Sequence, residues 1–262
     1  MLYNGGWKGN KGLKVLCGGD LLNESLAANL INDNKQVWNM YGPTETTIWS
    51  SIKMLNNPKD ATRIGKPIHN TQFYILDKSF NPVPLGVIGE IYIGGDGLAT
   101  GYYRNNELTK KKFIKNPFIE EGLIYETGDL GRWNQKGEVE FYGRNDSQVK
   151  IRGYRIELGD IETALLKMPT FETAVVIAKK DLNGDKQLVA YLISKNEIDT
   201  KSIRAELKKY LPIYMLPSYF VKLEEIPLTN KPHDVVVKSV IFNTNWLLYG
   251  SSKPNLDPYI LK

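Results

Sequence analysis

Residues 39–51 read NMYGPTETTIWSS. Gly42 and Pro43 fix the backbone as a turn, so the residues behind them are presented at a strand end. That is where ligands sit in open sheets. The Tyr41 ring offers a flat face to a base, the Thr44 hydroxyl suits a phosphate oxygen, and the Glu45 carboxylate is a hard oxygen ligand suited to magnesium. Taken alone, the stretch reads first as a plain surface turn.

Working outward, LKVLCGG (13–19) reads as a short buried strand closed by glycines. An amphipathic helix follows, with Asn23 as its cap and Leu26, Leu30 and Ile31 as apolar positions. QVWNMYG (36–42) reads as a second strand. Between about 63 and 103 the text turns to TQFYILD, GEIYIGG and repeated Gly or Pro, the pattern of short antiparallel strands and tight turns; EVEFYGR adds another strand at 138–144. After Asp146 the alternation is more compact. QVKIRGYRIEL is strand-like, GDIETALLKM helical, TAVVIAK a strand, NGD (183–185) a hairpin turn and QLVAYLI its partner. DTKSIRAELKKYL carries Ile203, Leu207, Tyr210 and Leu211 on one helical stripe, and YFVKL is one more strand. A β-rich part followed by a small α+β module predicts two domains divided near 146.

With 42% hydrophobic and 24% charged residues, the chain reads as globular rather than disordered or fibrous. The net charge of +5 comes from interspersed lysine and glutamate without a basic block, which argues against nucleic acid. Cys17 is the single cysteine, which excludes an internal disulfide framework and a cysteine-ligated zinc site. A reducing, cytoplasmic setting is expected. The opening MLYNGGWKGNKGLKVL has no signal-peptide apolar core, and no apolar run approaches the roughly 20 residues of a membrane span.

Other stretches could carry chemistry. The glycines at 94, 95, 97 and 101 match neither the dinucleotide fingerprint nor the Walker loop, so they read as turns. In TGDL (127–130), Asp129 lies in a tight turn, either as an exposed turn residue or as a carboxylate accepting both hydroxyls of a ribose. GRNDSQVKIRGYRIE (143–157) brings together Arg144, Lys150, Arg152 and Arg155. They form either a solvated charged ribbon or a positive rim for phosphate.

The ordered set YGPTE, GEIYIGGDGLATGYY, YETGDL, GRNDSQVKIRGYRIELGDIE and LPIYMLP resembles the later core motifs of amino-acid adenylation domains from nonribosomal peptide synthetases, within the acyl-adenylate-forming superfamily. The likeness runs from about residue 5 to about 229. It implies an α+β fold: residues 1–145 as the distal portion of the large AMP-binding core, with a mixed sheet and a small barrel-like part, and 146–231 as the small C-terminal subdomain. Residues 232–262 are a tail without a counterpart. It also implies a reaction, in which an amino-acid carboxylate attacks the α-phosphate of ATP and the aminoacyl adenylate passes to the phosphopantetheine thiol of a carrier domain. The partners it implies are the amino acid, that carrier domain and other synthetase modules, without nucleic acid or membrane.

By the same resemblance Tyr41 would stack on adenine, Thr44 would contact the α-phosphate and Glu45 would hold Mg2+. Asp129 would bind the ribose hydroxyls, with Arg144 as a second contact. Gly18, Gly19 and Asp20 stand where the family has Gly-Gly-Glu beside the nucleotide. Asp146 matches the hinge position, and Val15, Cys17, Met40, Ile48 and Trp49 would line a pocket for a small uncharged amino acid. Two departures from the pattern stand out. The earlier motifs, including the phosphate loop, have no match. Near the other end PLTNKPHDVVVKSV replaces the usual lysine motif, so that Lys231 is the nearest candidate for the catalytic lysine. A truncated or rearranged product is therefore expected. The alternatives are a catalytically inactive nucleotide-binding or synthetase-docking module, and an acyl-CoA or aryl-acid ligase of the same superfamily.

Overall fold

The computed structural model describes residues 3, 5–151, 153–181 and 186–225. Lys231, the tail and the NGD turn lie outside the described residues. By backbone contacts the chain divides after Gly153, where the sequence placed the boundary at 146.

In the first unit, β1 (Lys14–Gly18), α1 (Glu24–Asp33) and β2 (Gln36–Tyr41) form a βαβ crossover with β1 and β2 parallel. Asn23 caps α1: its side chain accepts from the Leu26 backbone N–H at 2.8 Å. Ala27 and Leu30 on α1 bury against Val37 of β2, together with Leu22, Leu55 and Ala61, and Val15 and Cys17 flank that cluster. Asn23→Ala should cost about 1 kcal/mol of stability, read by urea denaturation, because it frees a helix-start N–H without touching this core. The expectation of a buried first strand is corrected. One face of β1 is covered by the α1 cluster, while Leu16 on the other face is 61% exposed.

From β2 the sheet continues antiparallel through β3 (Ser51–Met54) and β4 (Arg63–Pro67). Then come β5 (Thr71–Leu76), β6 (Gly89–Gly95), α2 (Asn106–Lys112), β7 (Phe113–Lys115), β8 (Leu123–Trp133), β9 (Val139–Arg144) and β10 (Gln148–Ile151). The spatial order is β1-β2-β3-β4-β9-β8-β6-β5, with β7 also on β8. Strand β4 thus joins the part that carries Tyr41 to the part that carries Asp129. Alternating Phe73, Ile75, Ile91, Ile93 and Val139 form the core between these strands, with Tyr41 packed among them. The segments α2, β3, β4 and β7 are short and lack a clean apolar period, and sequence reading did not resolve them.

The second unit contains β11 (Tyr154–Glu157), α3 (Leu158–Leu166), β12 (Thr173–Lys180), β13 (Lys186–Ile193), α4 (Thr200–Leu207) and β14 (Tyr219–Leu223). Strands β12 and β13 are antiparallel, whereas β14 returns parallel to β13 through α4. Ile161 and Leu165 of α3 and Ile203 and Leu207 of α4 are buried. No helix among the described residues is long and apolar enough to cross a membrane.

Candidate functional site

Tyr41 closes β2, and the chain then turns through Gly42 and Pro43 into a single 3-10 turn, Thr44–Thr46. The loop folds back on itself. The Ser50 N–H donates to the Tyr41 carbonyl at 2.7 Å, the Ile48 N–H to the Pro43 carbonyl at 3.2 Å, and the Thr46 and Ser50 hydroxyls lie 2.6 Å apart. A side chain at position 42 has no room, since its Cβ would fall 2.5 Å from the Ile48 carbonyl oxygen. Thr47 and Ile48 take left-handed φ values of 61° and 72°, a costly conformation for β-branched residues. The outcome is a rigid presentation of Thr44 on the exposed side and of Glu45 inward, at 7% exposure.

The TGD segment corrects the sequence reading. Asp129 lies in the middle of β8, not in a turn between strands, and is 4% exposed. Between the pairs Tyr92–Glu126 and Glu90–Leu130, β8 carries two more residues than β6, so Thr127–Asp129 form a bulge. On the other side of β8, β7 pairs with residues up to Tyr125 and β9 from Asp129 onward. The bulge therefore opens at a gap between two neighbouring strands. The Thr127 hydroxyl donates to the Ile91 carbonyl at 2.6 Å and accepts from the Asp129 N–H at 3.0 Å, which aims the aspartate.

Three predicted residues meet there. The Tyr41 hydroxyl donates to Asp129 Oδ2 at 2.6 Å, and Arg144 Nη1 donates to Oδ1 at 2.6 Å. Arg144 also donates Nη2 to the Thr127 carbonyl and grips Asp146 through Nε and Nη2 at 2.7 and 2.6 Å. Burial pushes the Asp129 carboxyl above the ordinary aspartate value, opposed by Arg144 and by the Tyr41 hydroxyl. Burial and the adjoining Asp129 carboxylate likewise hold the Tyr41 phenol well above its usual value, so it remains a donor. Asp146 is partly desolvated, yet the Arg144 guanidinium holds it below the usual range. Tyr41 is 8% exposed, its ring lying edge-on to Phe73 and tilted against Phe141.

Glu45 belongs to a second cluster. Tyr102 donates its hydroxyl to Glu45 Oε1 at 2.6 Å and lies 3.3 Å from the Tyr125 hydroxyl. The Glu45 carbonyl accepts from the Ala99 N–H at 2.8 Å. Burial and this carboxylate raise the Tyr102 phenol pKa. Sequence reading missed Tyr102, Thr127 and Phe141. The doublet at Tyr102–Tyr103 and the threonine inside TGD were visible, but nothing local says which carboxylate a distant hydroxyl will meet.

The remaining predicted residues are spread along the edge at β1. Met40 is buried in register with Gly18, and the Trp49 ring lies so close to Gly18 that a Cβ there would fall 2.5 Å from the ring. Ile48 is 56% exposed. Val15 and Cys17 are half-buried against the α1 cluster. Gly18, Gly19 and Asp20 are exposed, and Asp20 Oδ1 accepts from the Leu21 N–H at 2.7 Å. Among the described residues, no group of three or more His, Cys, Asp or Glu could hold a metal ion unaided.

Residues 6–103 match the AMP-binding enzyme family. A second match, to the C962R protein N-terminal AEP domain, covers residues 188–262, of which 188–225 include most of β13 and all of α4 and β14. Over residues 6–103 the chain carries the AMP-binding enzyme family, and as a whole it is similar to the adenylate-forming enzymes. Within them its relatives are nonribosomal peptide synthetases. It is 47% identical over 221 residues to the dimodular nonribosomal peptide synthase of Bacillus subtilis (strain 168), covering 84% of this chain and 9% of that protein. It is 50% identical over 198 residues to bacitracin synthase 2 of Bacillus licheniformis, covering 74% of this chain and 8% of that protein. Among solved structures, a four-domain nonribosomal peptide synthetase bound to AMP and glycine is 41% identical with a TM-score of 0.55, covering 98% of this chain and 19% of that one. PA1221, a synthetase protein with adenylation and PCP domains, is 29% identical with a TM-score of 0.70, covering 82% and 44%. The chain thus spans less than a tenth of these two curated relatives, and the α+β fold is that of the adenylate-forming domains.

Proposed function

We propose that this chain carries the distal part of an adenylation site, which binds the adenosine and phosphates of ATP while an amino acid is activated to its aminoacyl adenylate. The observation that carries this reading is the hydrogen-bonded cluster of Tyr41, Asp129 and Arg144 beside the Thr44–Thr46 turn. Each Asp129 oxygen already accepts one bond and has a second lone pair for a ribose hydroxyl. Arg144 opposes the desolvation of the buried carboxylate and fixes it in place while those hydroxyls bind. Tyr41 is carried as the ring that stacks on adenine, and the exposed Thr44 hydroxyl serves the α-phosphate.

Magnesium is commonly held by one or two carboxylates together with substrate phosphates. The Glu45 carboxylate, oriented by Tyr102, fits that role without a further protein ligand. When bound, the ion supplies neutralisation of the charge that develops on the phosphates. Lys231 is carried as the lysine that would bridge carboxylate and phosphate, and Asp146 as the pivot for the second unit. Gly18 to Asp20 form the nucleotide-side edge. Met40, Ile48 and Trp49, with Val15 and Cys17 behind them, are the pocket for an uncharged amino acid. The acceptor is a phosphopantetheinylated carrier domain, with other synthetase modules as neighbours in the cytoplasm.

Calorimetry with AMP and ATP, followed by amino-acid-dependent ATP/pyrophosphate exchange, tests this. Binding with exchange supports the reading; binding without exchange identifies a noncatalytic nucleotide-binding module; no binding of either nucleotide overturns it. Glu45→Gln should weaken magnesium-dependent ATP binding about tenfold or more and leave AMP affinity unchanged, since AMP binding leaves the metal carboxylate unused.

A further inference from the structure

Glu90 is used by neither the fold core nor the site described above, yet its carboxylate links β8 to the segment that follows β9. Its Oε1 accepts the Gly128 backbone N–H at 3.1 Å, and its Oε2 accepts Asn145 Nδ2 at 2.8 Å. The Asn145 backbone N–H in turn donates to the Gly128 carbonyl at 3.0 Å. Gly128 is therefore held at both its N–H and its C=O, and the three residues close a ring across the gap beside β8. Gly128 has φ +73°, and a Cβ there would lie 2.5 Å from Asp146 Oδ2 and 2.8 Å from Arg144 Nη2. Only glycine lets the bulge backbone come this close to both side chains.

The position of this ring explains its consequence. Gly128 directly precedes Asp129, and Asn145 stands between Arg144 and Asp146. A bulge has surrendered part of its ladder, so its direction is set by whatever satisfies the freed N–H groups. Here that partner is a side chain from the neighbouring strand. A carboxylate accepting two N–H donors makes stronger bonds than a neutral group would.

The geometry points to Glu90 as a positioning residue that latches the Thr127–Asp129 bulge to the Arg144–Asp146 segment, setting the aim of the Asp129 carboxylate and restraining the backbone at Asn145. The effect on nucleotide rests on the function proposed above; the latch itself does not.

The test separates the two. In the full chain, hydrogen exchange at the Gly128 and Asn145 amides is measured for the wild type, Glu90→Ala, Glu90→Gln and the double variant Glu90→Ala/Asn145→Ala, with AMP affinity measured alongside. Glu90→Ala should accelerate exchange at Gly128 about tenfold, while Glu90→Gln, which keeps an acceptor for that N–H, restores most of the protection. Adding Asn145→Ala should change Gly128 exchange little beyond Glu90→Ala, because both remove one latch. Glu126→Gln, a nearby carboxylate paired with Lys112, serves as the control and should leave both amides unchanged. If the wild type binds AMP, Glu90→Ala should weaken it about tenfold and Glu90→Gln much less. Unchanged exchange at both amides in Glu90→Ala overturns the latch. Altered exchange with wild-type AMP affinity overturns its role in aiming Asp129. Absence of AMP binding in the wild type bears on the proposed function alone, and the exchange result still decides the latch.

Discussion

Asp129→Ala should destabilise the first unit by about 3 kcal/mol and abolish AMP binding. The loss has two sources. The Tyr41 hydroxyl, buried and with Asp129 as its acceptor, is left without one, and Arg144 loses one of its two carboxylates. Leaving a buried donor unmet costs about 1–3 kcal/mol, and stripping a partner from the partly buried Arg144 guanidinium adds to it. Urea denaturation followed by tryptophan fluorescence reads mainly this unit, because four of the five tryptophans, Trp7, Trp38, Trp49 and Trp133, belong to it. A loss below 1 kcal/mol would refute the role given to the cluster.

Asp129→Asn separates shape from charge. The folded pKa of Asp129 is raised, so the part of its contribution to stability that is linked to its protonation is fully present below the ordinary aspartate value of about 3.9 and is lost as pH rises through the folded value. The asparagine variant does not titrate there. Its stability relative to the wild type should therefore rise as pH is taken from about 3 up through that value. Asp146 has the opposite sign: its folded pKa is lowered, and its contribution is lost as pH falls through that lower value. Asp146→Asn should lose stability relative to the wild type at neutral pH and approach it under acid conditions. Opposite pH trends in the two variants distinguish a carboxylate buried against its solvation from one held by its arginine.

What could be read in the sequence follows the range of each signal. Asn23 as a cap, the α1 stripe and the period-2 strands around 71–76 and 89–95 are local, and the chain announces them. The grouping of Tyr41, Asp129 and Arg144 was legible through ordered motifs, although 88 residues separate the first two. The environment of Asp129 was not. TGD has the composition of a turn, and it becomes a mid-strand bulge because β6 and β9 pair around it, a decision made by sheet register that no window of the sequence contains. Glu90 and Tyr102 were hidden for the same reason: each is one polar residue in an apolar or glycine-rich run, and its meaning depends on which strand lies beside it.

Gly65→Ala should be the most damaging single methyl in the first unit, although Gly65 touches none of the candidate site residues. It lies in β4 at φ +81°, beside the irregular step where β4 pairs with β9. A Cβ there would fall 2.0 Å from the Ile52 carbonyl oxygen and 2.5 Å from its carbon, both backbone atoms of β3 that cannot swing aside. The left-handed conformation costs about 1–2 kcal/mol for an L-residue, and the overlap costs about 1–3 kcal/mol more as β3 is displaced, so a total near 3 kcal/mol is expected. Gly86→Ala is the matched control, with φ +82° and open space around the added methyl, and should show the dihedral cost alone. The functional consequence follows from strand order. Strand β4 joins β3, and through it Tyr41 on β2, to β9 and β8, which carry Arg144 and Asp129. Moving β3 away from β4 draws the Tyr41 hydroxyl off Asp129, so Gly65→Ala should weaken AMP binding under conditions where it remains folded, whereas Gly86→Ala should not. Equal losses in the two variants, in stability and in affinity, would show that β4 does not set the spacing of the site.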